Sequence, residues 1–421
     1  MIKDISKFIL LFFSIILITT SFLLNNYVFS YFSIVFFLII SFLNISGLFR
    51  LVVFFLVFYL SIGLLNISTW RGYIEVEVIN LYFLCVLLFL IPCVFIRCYV
   101  TDRNNFHVSN QKFILMAILI HLLIVYVSVL AVYIFYGNIL LNQTIRFLIP
   151  TSLEYVIKSA LPIAALIPIL KYKNKALLLL LVVLPAILIG SRGTAVISIL
   201  SYLISDVYFK FGGFDIYKII NKNKKFLIYS LLAFLVIISG FYLRRGDGSE
   251  LSSVDVLMSH YFDYDNILIR VILPFHLGFK ETIGLSNRLV IESIANNINT
   301  YSLFFADLFT VLPGERLAAG QTLGRIFGTV EGGGLTPGLV GGIYIDYKMF
   351  TPAFFLLFGV SFYFLEAKLY KSPLFIVVYS QVIVQFIHLF HRGFLKPEYI
   401  TSVLIAYFYY CLCHRIIINR G

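Results

Sequence analysis

The chain has 421 residues, enough for two or three soluble domains, yet 61% of them are hydrophobic and only 12% are charged, against roughly 25% charged in soluble proteins. That composition excludes water as the main solvent and identifies a polytopic membrane protein. The formal net charge of +12 does not call for nucleic acid, because Lys and Arg gathered in cytoplasmic loops give the same balance.

The first apolar stretch, residues 8–24, lacks a small-residue cleavage site and is followed by many others, so it reads as a retained helix rather than a signal peptide. Further spans are expected at 27–43, 51–65, 78–96, 113–135 and 156–170. The second half adds 176–189, 194–207, 226–243, 350–365, 374–389 and 400–413, several of them short. The expected fold is all-α and polytopic, with about twelve transmembrane helices. All five cysteines (Cys85, Cys93, Cys98, Cys411, Cys413) lie within or beside these spans, which predicts structural thiols and no disulfide framework.

With the N-terminus inside, 18 of the 32 basic residues fall in cytoplasmic segments, so both termini are predicted cytoplasmic. One long segment, residues 244–349, interrupts the spans after the ninth and is rich in Gly, Asn, Asp and Arg. It is expected to be an external (periplasmic) loop of packed short helices, around 254–272 and 287–309. The predicted organisation is an N-terminal bundle (1–243), this loop, and a C-terminal bundle (350–421).

Basic residues divide by type as well as by side: 13 Lys and 5 Arg inside, 10 Arg and 4 Lys outside. Guanidinium groups bind phosphate oxygens in a bidentate way and are less strongly hydrated than ammonium, so an arginine-rich external face suits a diphosphate. The alternative is that these arginines pair with the acidic residues of the long segment. Ser191-Arg192-Gly193 joins two short expected spans, which places Arg192 just below the outer surface, as a diphosphate ligand or as a snorkelling anchor.

Glu331-Gly332-Gly333-Gly334-Leu335-Thr336-Pro337-Gly338 is followed by Gly341, Gly342, Tyr344 and Asp346. Such a run lets backbone amides approach an anion or a sugar, or is a plain re-entry turn; no Gly-Lys-Ser/Thr follows, so it is not a nucleotide loop. His391-Arg392-Gly393 in the last external loop, with Glu398 nearby, pairs a proton acceptor with an anion-binding arginine, or anchors the chain at the interface. His260 and His276, with Asp263 and Asp265, do not form a metal set, and mid-span His121 and His388 are expected to face the bundle.

In Ser191-Arg192-Gly193, the stretch Leu335-Thr336-Pro337-Gly338-Leu339-Val340-Gly341-Gly342-Ile343-Tyr344-Ile345-Asp346 closing a long external segment, and the late His391-Arg392-Gly393, the chain resembles the O-antigen polymerase (Wzy) family. Pro313-Gly314, Gly324 and Gly328 add to the likeness, which covers most of the chain. The family often has an acidic residue after the Thr-Pro-Gly turn, where this chain has Gly341-Gly342.

The resemblance implies a glycosyltransferase of the bacterial inner membrane that joins undecaprenyl-diphosphate-linked oligosaccharide units without cofactor, metal or nucleotide. A chain-length regulator and a flippase are its implied partners. Functional arginines of the external loops map onto Arg192, Arg288, Arg325 and Arg392. Candidates for the base are Glu331, Asp346 and His391, and for substrate contacts Arg244, Arg245, Gly333, Gly334, Thr336, Gly338, Tyr344 and Asp346. An O-antigen ligase or a lipid-linked oligosaccharide flippase remain alternatives from the sequence.

Overall fold

A computed structural model describes residues 2–24, 26, 28–29, 31–33, 47–94, 111–137, 149–212, 254–295, 300, 302–311, 317–327 and 334–418. Among these residues the chain is all-helical apart from one isolated bridge between Ser68 and Phe262. The helices are α1 (Ile2–Leu24), α2 (Phe49–Gly63), α3 (Val76–Val94), α4 (Gln111–Tyr136), α5 (Thr151–Lys158), α6 (Lys175–Leu188) and α7 (Arg192–Phe211). Then come α8 (Val254–Tyr261), α9 (Ile267–Ala295), α10 (Leu303–Ala306), α11 (Ala319–Ile326), α12 (Gly338–Tyr347), α13 (Thr351–Lys371), α14 (Ile376–Arg392) and α15 (Pro397–Ile418). Five stretches among the described residues, 111–136, 151–169, 193–211, 338–371 and 373–392, are long and apolar enough to cross a membrane, and several shorter apolar helices join them. The expected span 226–243 lies outside the described residues, as does most of 27–43.

α4 shows how the sequence selects its surroundings. Ile114, Ile118, Leu122, Val125, Val129 and Val132 recur at helical spacing and are buried. Around the rest of the helix, Met116, Leu123, Leu130 and Ile134 are exposed. A helix apolar on both its packed and its open faces is stable only where the open face meets lipid. α14 is the opposite case: it is buried almost throughout, packed against α7, α12 and α15.

The span expected at 156–170 is α5 followed by a 3-10 helix, Leu161–Ile169. Pro162 and Pro168 lack the amide hydrogens that an α-helix needs, which accounts for the tighter winding. Residues 338–371 are not one rod either. Lys348 takes a left-handed conformation (φ 48°) and ends α12 before α13 starts.

The long segment departs from the expected short helices. The helix expected at 254–272 breaks after Tyr261, and Asn266 restarts it: its side-chain oxygen accepts the Ile269 amide at 2.9 Å. α9 then runs unbroken through 29 residues to Ala295, past the expected start at 287. It packs on α2 and α12, and its Ile283 and Val290 belong to the main apolar core. The 244–349 segment is therefore built into the bundle over its described part. Tyr59 on α2 and Thr282 on α9 seal that contact with a hydrogen bond.

Candidate active site

α14 ends at Arg392, and Gly393 takes φ +93°, a left-handed turn that glycine adopts without strain. A β-carbon on Gly393 would lie 2.5 Å from the Gly338 carbonyl oxygen, and one on Gly342 would strike the Gly393 carbonyl. The two glycine-bearing motifs thus lock backbone to backbone. Behind them, Tyr82 and Ser286 hydroxyls are 2.7 Å apart, and Ser286 donates to the Pro337 carbonyl that precedes α12. Helices α3, α9, α12 and α14 all converge at this point.

His391 lies beside this junction with its ring 6.0 Å from that of Tyr59. Its Nδ1 is buried and has no hydrogen-bond partner, and the same holds for His388 Nδ1 and Tyr399 Oη. The His388 and Tyr399 rings are 5.3 Å apart. Next to Tyr399, Glu398 pairs with Lys158 of α5 at 2.5 Å, and Lys158 also holds Glu154 at 2.9 Å. Orphaned polar atoms are costly in an apolar interior, so these three together are the groups at this end of α14 best suited to meet a polar ligand. His388 and Tyr399 were not among the sequence candidates; the four-residue link between α14 and α15 is the signal that brings them face to face.

The antiparallel pairing of α7 and α14 places Arg192. Gln381 donates to Ser201 Oγ at 2.9 Å in the middle of the pair, and Tyr208 near the end of α7 donates to the Leu369 carbonyl in the last turn of α13, just before α14 begins. From the Gln381–Ser201 contact, about 13 Å back along α7 reaches Arg192, and about 16 Å onward along α14 reaches Arg392. Both therefore lie at the same end of the bundle.

Arg288 of α9 stacks over the Phe327 ring at 5.7 Å and pairs with Glu292 at 2.5 Å. Arg325, two residues before Phe327, is exposed. Leu289, Leu323, Phe327, Ile345 and Phe394 form one small apolar core, and Phe394 directly follows the His391-Arg392-Gly393 turn. Arg288, Arg325 and Arg392 are thereby mounted around a shared support.

Other candidates serve the framework or stand apart. Asp346 is buried, accepts the Phe304 amide at 2.7 Å and the Thr300 hydroxyl, and so fixes the start of α10 rather than presenting a free carboxylate. Tyr344 is half-buried under Lys348, 5.6 Å from its ring. Gly334 is exposed with nothing within 4 Å of an added β-carbon, Thr336 is half-buried and Gly338 is buried at φ +67°. Arg244, Arg245, Glu331 and Gly333 lie outside the described residues.

His121 and His276 have hydrogen-bond partners of their own. His121 bonds Tyr409 at 2.9 Å and Ser159 at 2.7 Å. His276 bonds Ser68 Oγ and the Ile62 carbonyl, both at 2.9 Å, while fully buried Lys280 donates to the Ser68 carbonyl at 2.6 Å. Burial depresses His276 to about 4 and Lys280 to about 8. None of the family models, curated proteins or solved structures compared with this chain matches it.

Proposed function

We propose that this protein is a glycosyltransferase that polymerises polyprenyl-diphosphate-linked oligosaccharide repeat units at the periplasmic face of a bacterial inner membrane, with about twelve spans and both termini cytoplasmic. The observation that carries this reading is the meeting of the Gly338–Gly342 and His391-Arg392-Gly393 motifs, with buried His391 Nδ1 left unpartnered beside them. Gly342 and His391 are 49 residues apart in sequence, and the two motifs share one end of the bundle with Arg192.

In this reading an acceptor sugar hydroxyl attacks the anomeric carbon of the donor glycan. His391 Nδ1 takes the hydroxyl proton, the new glycosidic bond forms, and the bond to the lipid diphosphate breaks with its electron pair leaving on the phosphate oxygen. Arg192 and Arg392, at the same end, stabilise the charge that develops on the diphosphate, with Arg288 and Arg325 along the glycan's approach. Incubating the purified chain with a polyprenyl-diphosphate-linked repeat unit, without nucleotide or added metal, tests it: a ladder of repeat multiples is expected. Unchanged substrate with a folded protein removes the reading, and transfer only to a lipid A core makes the protein a ligase.

A further inference from the structure

Three polar side chains of α14, Gln381, Gln385 and His388, fall within roughly 60° of one another around the helix. Gln381 Oε1, Gln385 Oε1 and His388 Nδ1 are all buried without a hydrogen-bond partner. Ser201 of α7 faces Gln381, and it lies in a buried polar stripe with Ser198 and Ser205 at helical spacing. The Gln381–Ser201 hydrogen bond at 2.9 Å joins the two helices at this point and, with the antiparallel pairing, brings Ser198 toward the Gln385 side. Ser198 and Ser201 spend their protons on Thr194 and Ile197 carbonyls of their own helix, and Ser205 on the Ala165 carbonyl, so none supplies a donor to the glutamine oxygens.

An amide oxygen left unpaired in the apolar interior of a membrane bundle costs several kcal/mol. Two on one stripe, continuous with an orphaned imidazole nitrogen, need donors that the protein does not provide. We propose that α7 and α14 enclose a file of bound water, a lane roughly 10 Å long that runs from His388 inward past Gln385 to Gln381 and Ser201. Water suits the lining because amides and hydroxyls present both donors and acceptors at short spacing. No lane residue carries a full charge before Glu398 at its mouth, so nothing in the lane holds a resident ion, while a small cation can still pass along it. The lane would solvate His388 from within the bundle, whatever reaction the protein performs.

The test uses the full chain with either Ser201→Cys, which exchanges one atom, or Ile383→Cys, which is equally buried but about 200° away around α14. Each purified variant is exposed to Ag+, an ion close to water in size, and the free thiol remaining at that position is read by peptide mass spectrometry. The thiol at position 201 is expected to react at least about tenfold faster than the thiol at 383. Equal rates, or an unreactive thiol at 201, overturn the lane. If Ser201→Cys fails to fold, Ser198→Cys on the same wall takes its place with the same two readings.

Discussion

The Gly393 carbonyl oxygen occupies the space that a β-carbon on Gly342 would fill, so α12 and the end of α14 meet with no side chain between them. Gly342→Ala should force the two backbones apart and destabilise the protein by about 2 kcal/mol or more. Gly334→Ala, where the added carbon meets nothing, is the control. Thermal unfolding in detergent should show a lowered Tm for the first and an unchanged Tm for the second.

His391 is half-buried and its Nδ1 has no hydrogen-bond partner, so the framework does not rely on that atom. His391→Gln should therefore cut ladder formation by about a hundredfold or more while leaving Tm near that of the native chain. A parallel fall in Tm and activity would instead make His391 a packing residue.

Asp346 should behave in the opposite way. Asp346→Ala leaves the Phe304 amide without its acceptor and should cost about 2 kcal/mol. Activity per folded molecule should be retained, as measured by normalising ladder yield to the monodisperse fraction on size exclusion.

Lys158 holds Glu154 and Glu398 in a largely enclosed triad. Lys158→Met strands both carboxylates and should cost about 3 kcal/mol or more. Adding Glu398→Gln removes one of the stranded charges, so the double variant should recover part of that Tm loss.

His276 predicts an acid limb to stability. The folded protein protonates it at about 4, whereas the unfolded chain does so at 6.5, because burial disfavours the charged ring. Between those values the unfolded state binds more protons, so stability present above pH 6.5 is lost as pH falls through this interval, by up to about 3 kcal/mol. His276→Gln should start lower in Tm and show a flatter slope between pH 6.5 and 4.

The apolar helices were legible because burial in lipid writes itself into long runs, as in 111–136 and 373–392. α9 was not. Its 29 residues carry Arg270, Lys280, Glu281, Arg288 and Glu292, so hydropathy gives no continuous signal, and only its packing on α2 and α12 reveals one helix. At the site, the glycine and His-Arg-Gly motifs stood out by composition, but their contact depends on backbone approach that no spacing encodes. Asp346 looked like a free acid because its partners, Thr300 and Phe304, lie more than 40 residues upstream. Lys158 and Glu398 escaped for the same reason, being 240 residues apart.

The hydrogen bond between Tyr59 and Thr282 also sets a schedule for synthesis. Its two residues are 223 positions apart, which at roughly 5–20 residues per second is a wait of about 10–45 s. Throughout that time α2 is made but its C-terminal end has no α9 to rest on, and the Tyr59 hydroxyl has to find another partner. The first half of the bundle is therefore a nascent intermediate, completed only when the chain returns from the far side of its sequence.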